Sequence, residues 1–248
     1  MFNRLLPCAI GLVLYLVASA ANGGLIFSED FEAAENVVGE KPPPAIWDVV
    51  ESPATARIAA FGNPGKSVYF VDNEGDLSMR HEFAPQTSLV FNYDIYLDSA
   101  QEGAHARLFG EVGDWQLVFL TSGFVATLNA IGSFDDLEFF AYQLDTWYRV
   151  TRTLDLIADT GTISVVNLSN LSDGATKLDA IPDPANTFID TIGLGTSGSL
   201  GSDSFIDNIS ITNDTSSEVV PEPSNLALLG TGAIGLIVYR RRKRKSAA

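Results

Sequence analysis

The chain is poor in the residues that cross-linking and catalysis use most. Its 248 residues include one cysteine, two histidines and 15 Lys and Arg against 31 Asp and Glu. The cysteine, Cys8, lies in the first apolar run after Pro7, too early and too poorly flanked for a lipoprotein signal. The body of the chain therefore has no thiol, which excludes disulfides and cysteine chemistry there, and its stability has to come from its core. His81 and His105 each stand alone in strand-like segments, and neither H-E-x-x-H nor G-x-S-x-G occurs. The deficit of basic residues, a net charge of −16, repels phosphate backbones and anionic headgroups and argues against nucleic-acid binding. Such a surface attracts cations.

Long apolar runs are scarce too, and the two present sit at the ends. Arg4 precedes Leu5–Val17, and Ala18-Ser19-Ala20 supplies the small residues that signal peptidase reads, so residues 1–21 are a signal peptide. The second run, Asn225–Tyr239, has 15 residues. As a helix it spans roughly 22 Å, less than the roughly 30 Å hydrocarbon core. Pro221-Glu222-Pro223-Ser224 precedes it, and six cations, Arg240–Lys245, follow. Those cations stay cytoplasmic, because moving each through the membrane centre costs several kcal/mol, and everything before Pro221 is left outside. Without Arg4 and the tail cations, 8 Lys and Arg face 31 acids, a net of −23.

This order of motif, apolar run and basic tail resembles the PEP-CTERM sorting signal. The resemblance implies an exported bacterial protein, anchored transiently in the inner membrane and processed near Pro221, Glu222 and Pro223 by an exosortase, a membrane-embedded cysteine transpeptidase. Its destination is then the cell surface or extracellular matrix. The chain divides into the signal peptide (1–21), a domain (22–213), a linker (214–220) and the sorting signal (221–248).

The domain reads as all-β. Apolar residues alternate over five to ten positions between turns rich in Gly, Asp, Asn and Pro, and no long 3.6-residue stripe appears. In Ser88–Leu97 the residues Leu89, Phe91, Tyr93, Ile95 and Leu97 share one face. In Trp147–Leu156, Tyr148, Val150, Leu154 and Leu156 share one face and Trp147, Arg149, Thr151 and Thr153 the other, with Arg152 out of pattern. Asp159-Thr160-Gly161 turns this strand into Thr162–Val166. Further strands are expected at Leu25–Phe31, Ser67–Val71, Leu77–Phe83, Ala104–Glu111, Gln116–Thr121, Phe124–Leu128, Glu138–Tyr142, Phe188–Leu194 and Ser204–Thr212. About a dozen strands need two packed sheets. The fold class is thus a two-sheet antiparallel jelly-roll sandwich, flanked by a signal-peptide helix and a C-terminal hydrophobic helix.

Phe27–Glu32, Trp147–Val150 with Asp155 and the Thr160-Gly161 turn, and Phe205–Ile209 resemble concanavalin A-like, or laminin-G-like, jelly rolls. These loose motifs frame nearly all of residues 25–212. Functions in that family range from sugar binding and adhesion to catalysis, so the resemblance assigns none of them.

Candidate sites come from alternation. Glu29 shares parity with Phe27 and Phe31, and Asp207 with Phe205, Ile209 and Ile211. Both acids are therefore expected to face the core, where an ionised carboxylate needs a partner. If the first and last strands pair, Glu29 and Asp207 meet and hold a structural Ca²⁺ with backbone carbonyls; the alternative is backbone hydrogen bonds to each acid. Asp72–Asp76 lacks EF-hand spacing and reads as a turn. Gly193–Gly198 fits G-x-G-x-x-G, but no helix follows, so it reads as a connection. The Glu-x-Asp-x-x-Glu spacing of glucanases is absent, and no nearby acids suit a glycosidase. Trp47, Trp115, Tyr96 and Tyr142 are aromatic candidates for stacking on sugar, Tyr96 and Trp115 foremost. Four N-x-[ST] sequons, at Asn167, Asn170, Asn208 and Asn213, carry no weight beside bacterial signals. The expected function is a non-catalytic structural or adhesive module. The alternative is a carbohydrate-binding module for extracellular polysaccharide, and a glycoside hydrolase ranks third.

Overall fold

A computed structural model of the protein describes residues 24–52, 55–71, 76–98, 104–111, 114–120, 122–128, 134–179, 186–196 and 203–213. The signal peptide, linker, sorting motif, apolar run and basic tail lie outside these residues, as do positions 72–75 of the acidic cluster. Among the described residues no helix is long and apolar enough to cross a membrane.

Alternation dictates the architecture. The strands are β1 (Leu25–Glu29), β2 (Asp48–Ser52), β3 (Thr55–Gly62), β4 (Gly65–Val71), β5 (Asp76–Gln86), β6 (Ser88–Leu97), β7 (Ala104–Gly110), β8 (Asp114–Phe119), β9 (Phe124–Leu128), β10 (Phe134–Ala141), β11 (Thr146–Asp155), β12 (Thr160–Asn167), β13 (Gly174–Asp179), β14 (Ile189–Thr196) and β15 (Asp203–Thr212). Sheet A runs β13-β12-β11-β6-β15-β4-β3 with β1 also on β15, and sheet B runs β10-β9-β8-β7-β14-β5-β2. All pairings are antiparallel.

The core lies between the sheets. Leu89, Phe91, Tyr93, Ile95 and Leu97 of β6 are fully buried, as are Tyr148, Val150 and Leu154 of β11. Sheet B supplies Leu108, Trp115, Leu117, Phe119, Ile192 and Leu194. Each large apolar side chain so buried contributes about 1.5–3 kcal/mol. Arg152 takes an inward position of β11, and its Nη1 donates to the Trp115 carbonyl at 2.9 Å. The long side chain thus reaches a backbone acceptor on the facing sheet, which explains how a cation interrupts the alternation.

Three strands depart from expectation. β2, β3 and β13 are edge strands with little buried apolar surface, only Ala56 and Ile58 of β3 being fully buried in the core. Gly193–Thr196 is the end of β14 rather than a connection. The terminal strands do pair, Leu25 facing Thr212 and Glu29 facing Ile209, and the Asn213 N–H donates to the Gly24 carbonyl at 3.0 Å.

β15 lies along β6 on one edge and changes partner on the other, from β4 at Asp203–Ile206 to β1 at Ile209–Thr212. At the change the register slips between Asp207 and Ser210, and Asn208 adopts φ 51°. This β-bulge inserts one residue and inverts the alternation. Ile206 on one side and Ile209 and Ile211 on the other all face the core. Phe205 and Asp207 are turned to the outer face of sheet A, which corrects the parity read from sequence.

Candidate functional site

The outer face of sheet A is organised in rows set by strand register. In one row Trp147 (β11), Tyr96 (β6), Phe205 (β15) and Tyr69 (β4) stand side by side. Successive ring centroids are 5.5, 5.8 and 4.5 Å apart. Phe61, near the end of β3, packs against three of them, 4.9 Å from Tyr96, 4.9 Å from Phe205 and 5.7 Å from Trp147. Phe61 is 41% exposed and the other four rings are half-buried. The Tyr96 hydroxyl donates to Asp145 Oδ1 at 3.0 Å. Burial, with the Asp145 hydrogen bond and charge adding to it, raises the Tyr96 pKa.

The next row is polar: Arg149, Asp94 and Asp207 face one another across β11, β6 and β15. Arg149 donates to both Asp94 oxygens, Nε to Oδ1 at 2.8 Å and Nη2 to Oδ2 at 2.9 Å, a bidentate pair. Asp94 Oδ2 also accepts from Asn208 Nδ2 at 2.9 Å and Asn63 Nδ2 at 3.2 Å. Asp207 accepts two backbone N–H bonds, from Asn63 at 2.6 Å and Asn208 at 2.7 Å. The β3–β4 turn therefore lies over both acids, which are 0% exposed. Glu32 closes the cluster by accepting the Lys66 N–H. Only glycine fits at position 62, since a Cβ would stand 2.2 Å from the Lys66 carbonyl and 2.9 Å from Asp207 Oδ2.

Burial pushes the Asp207 carboxyl up to about 6, Asp94 and Glu32 adding to the rise while the two N–H groups oppose it. Neither Asp94 nor Asp207 is open to solvent, so this row holds the turn in place and offers no acid to a substrate.

The anticipated sites fare unevenly. Glu29 faces inward beside Ile209, whereas Asp207 faces outward, so the bulge puts the two acids on opposite faces of sheet A and they do not meet. Glu29 Oε1 instead accepts from the Phe31 N–H at 2.7 Å and Asn36 Nδ2 at 3.2 Å, and burial raises its pKa. Among the described residues no group of three or more His, Cys, Asp or Glu side chains is arranged to hold a metal. Trp115 and Trp47 are core residues, 0% and 1% exposed, which removes them as sugar platforms. Tyr142 is also buried and donates to the Leu120 carbonyl at 2.6 Å. Tyr96 alone of the four joins the aromatic row. Trp147 belongs to the outward parity of its strand and is open to discovery from sequence; Phe205 is hidden by the bulge.

The C-terminal stretch is matched by the model of the PEP-CTERM protein-sorting motif over residues 219–243. The chain carries a PEP-CTERM sorting motif. That motif implies exosortase processing and an exported, membrane-associated sorting substrate. No characterised protein matches the chain in sequence. Among solved structures the sandwich is similar to a sialidase, at TM-score 0.57 and 14% identity over 78% of this chain and 19% of that one. The chain thus spans about a fifth of the sialidase. It is also similar to the cellulose-induced protein Cip1, at TM-score 0.56 and 12% identity over 75% and 96% of the two chains. A winged bean acidic lectin complexed with methyl-α-D-galactose has TM-score 0.50 and 10% identity over 75% and 97%. At such identities the likeness establishes the fold, a two-sheet concanavalin A-like sandwich.

Proposed function

We propose that the protein is a cell-surface or extracellular-matrix module, released to that site by an exosortase, whose sandwich binds polysaccharide without cleaving it. The observation that supports this reading is the row Trp147–Tyr96–Phe205–Tyr69 with Phe61 on the outer face of sheet A. Sugar rings present apolar C–H faces that stack on aromatic side chains, and Asp145 beside Tyr96 supplies an acceptor for a hydroxyl. The net charge of −23 favours a neutral polymer over a uronic or sulfated one. At the aromatic row, binding without turnover is supported by the burial of the neighbouring Asp94 and Asp207 beneath the β3–β4 turn, out of reach of a glycosidic oxygen. The test is co-sedimentation of the mature protein with neutral polysaccharide from its host. Trp147→Ala and Tyr96→Ala are expected to weaken retention at least tenfold with no reducing ends released by the parent; full retention by both variants, or release of reducing ends, overturns the reading.

A further inference from the structure

The opposite face of the sandwich contains a cleft of about 560 Å³, on the outer side of sheet B. Its walls are segment 44–48, the middle of β5 and the adjoining ends of β7 and β14. Met79, Leu108, Ile192 and Leu194 point into the core, so their neighbours Arg80, Glu82, Phe109, Thr191 and Gly193 point outward. Register puts Asp48 opposite Arg80, Arg80 opposite Gly193, and Thr191 opposite both Glu82 and Phe109.

Two features make this more than a depression. Gly193 leaves room for the Phe109 ring to lie over the strand, since a Cβ there would stand 2.6 Å from Phe109 Cε2. The Arg80 guanidinium sits 5.0 Å from the centroid of that ring, and its Nε donates to Ser78 Oγ at 3.0 Å. The cleft thus has a fixed aromatic and cationic floor. Around it stand Asp48, Glu82 and Asp190, and among the described residues none of the three pairs with Arg80. Asp190 accepts the Thr191 hydroxyl at 3.0 Å.

The exposed Asp48, Arg80 and Glu82, with Asp190, offer hydrogen-bonding capacity that a ligand can use. Vicinal hydroxyls donate to carboxylates and accept from a guanidinium, and a C–H face covers the phenyl ring. The volume falls in the roughly 300–1,000 Å³ range of small-molecule sites. Three acids against one cation disfavour a uronate, sialate or sulfate and favour a neutral or amino-bearing saccharide.

We propose that this cleft is a second saccharide site, on the face opposite the aromatic row, and that one molecule thereby links two polysaccharide chains. The linking rests on the reading of the aromatic row given above; the cleft itself does not. The test uses the mature protein with cellohexaose and chitohexaose in calorimetric titration, and beads coated with the tighter-binding sugar in an aggregation assay. Two equivalents are expected per molecule. Arg80→Ala, and independently Glu82→Gln as a shape-conserving variant, are expected to weaken one equivalent at least tenfold and leave the other. Trp147→Ala is expected to do the reverse, and each single variant to abolish bead aggregation. If Arg80→Ala and Glu82→Gln leave the titration unchanged, the cleft is not a saccharide site, whatever Trp147→Ala does. If only Trp147→Ala is silent, the aromatic-row reading fails and the cleft stands. No binding of either hexasaccharide overturns both.

Discussion

Replacing Asp207 by Asn removes the charge held beneath the β3–β4 turn and changes how stability responds to pH. The carboxyl stands at about 6 in the folded protein against an ordinary 3.8. At about 1.4 kcal/mol per pH unit, that gap corresponds to about 3 kcal/mol. Its sign follows from proton linkage: between pH 4 and 6 the folded chain binds the proton that the unfolded chain releases. The contribution of Asp207 is therefore most favourable below pH 4, declines as pH rises to about 6, and is level above that. The substituted amide cannot ionise, so the variant lacks this decline. It also places an amide where a carboxylate oxygen accepted the N–H of Asn63 or Asn208, at a cost of about 1–3 kcal/mol. The two effects oppose each other at pH 7, where wild type and Asp207→Asn should differ little. Near pH 4 the variant should be the less stable, and the difference between them should change by about 3 kcal/mol across the interval. Urea unfolding of both proteins at steps from pH 4 to 8, in chelator, measures this; shifts from Glu29 and other distant acids cancel in the difference. A difference that stays constant with pH refutes the placement of Asp207 in an acidic, desolvated cluster.

Trp115→Ala should cost about 3–5 kcal/mol in denaturant unfolding while leaving saccharide binding per folded molecule unchanged, because the indole fills the core. Gly62→Ala should lower stability by about 1–3 kcal/mol through its clash with the Lys66 carbonyl. Gly39→Ala, at φ 89° with open space around it, should cost only about 1 kcal/mol, as thermal melts of the pair will show. Substituting Glu222 by Ala within Pro221-Glu222-Pro223 should leave the tail Arg240–Lys245 attached in the membrane fraction, read by mass spectrometry of the C-terminus.

Much of the sandwich is legible in the sequence because burial on one face imposes a period of two. Ser88–Leu97 is the strand that alternation outlines, to the residue. An edge strand with little burial leaves a faint trace, which is why β2, β13 and β3, whose core contribution is only Ala56 and Ile58, escape it. The site is harder to read for a different reason. Asn208 bends β15 with a single left-handed residue, and nothing in the spacing of Phe205, Asp207, Ile209 and Ile211 betrays it, since all four share one parity. The same bulge moves Phe205 into the aromatic row and separates Asp207 from Glu29. Trp115 fails as a platform because an aromatic on an alternating strand can serve core or surface, and only its neighbours Leu117 and Phe119 mark the inward parity.

The place of β15 in the sheet also sets the order of assembly during export. It lies between β6 on one edge and β4 and β1 on the other, yet it is made from the last strand-forming residues of the domain. Until Thr212 has crossed the membrane, β1 has no partner and β3–β4 stays unjoined to the block formed by β6, β11, β12 and β13. Closure of sheet A therefore waits for the residues just ahead of the sorting motif. The last strand of the domain and the sorting motif are thus close neighbours in sequence, so the sheet is completed by residues made just before that motif.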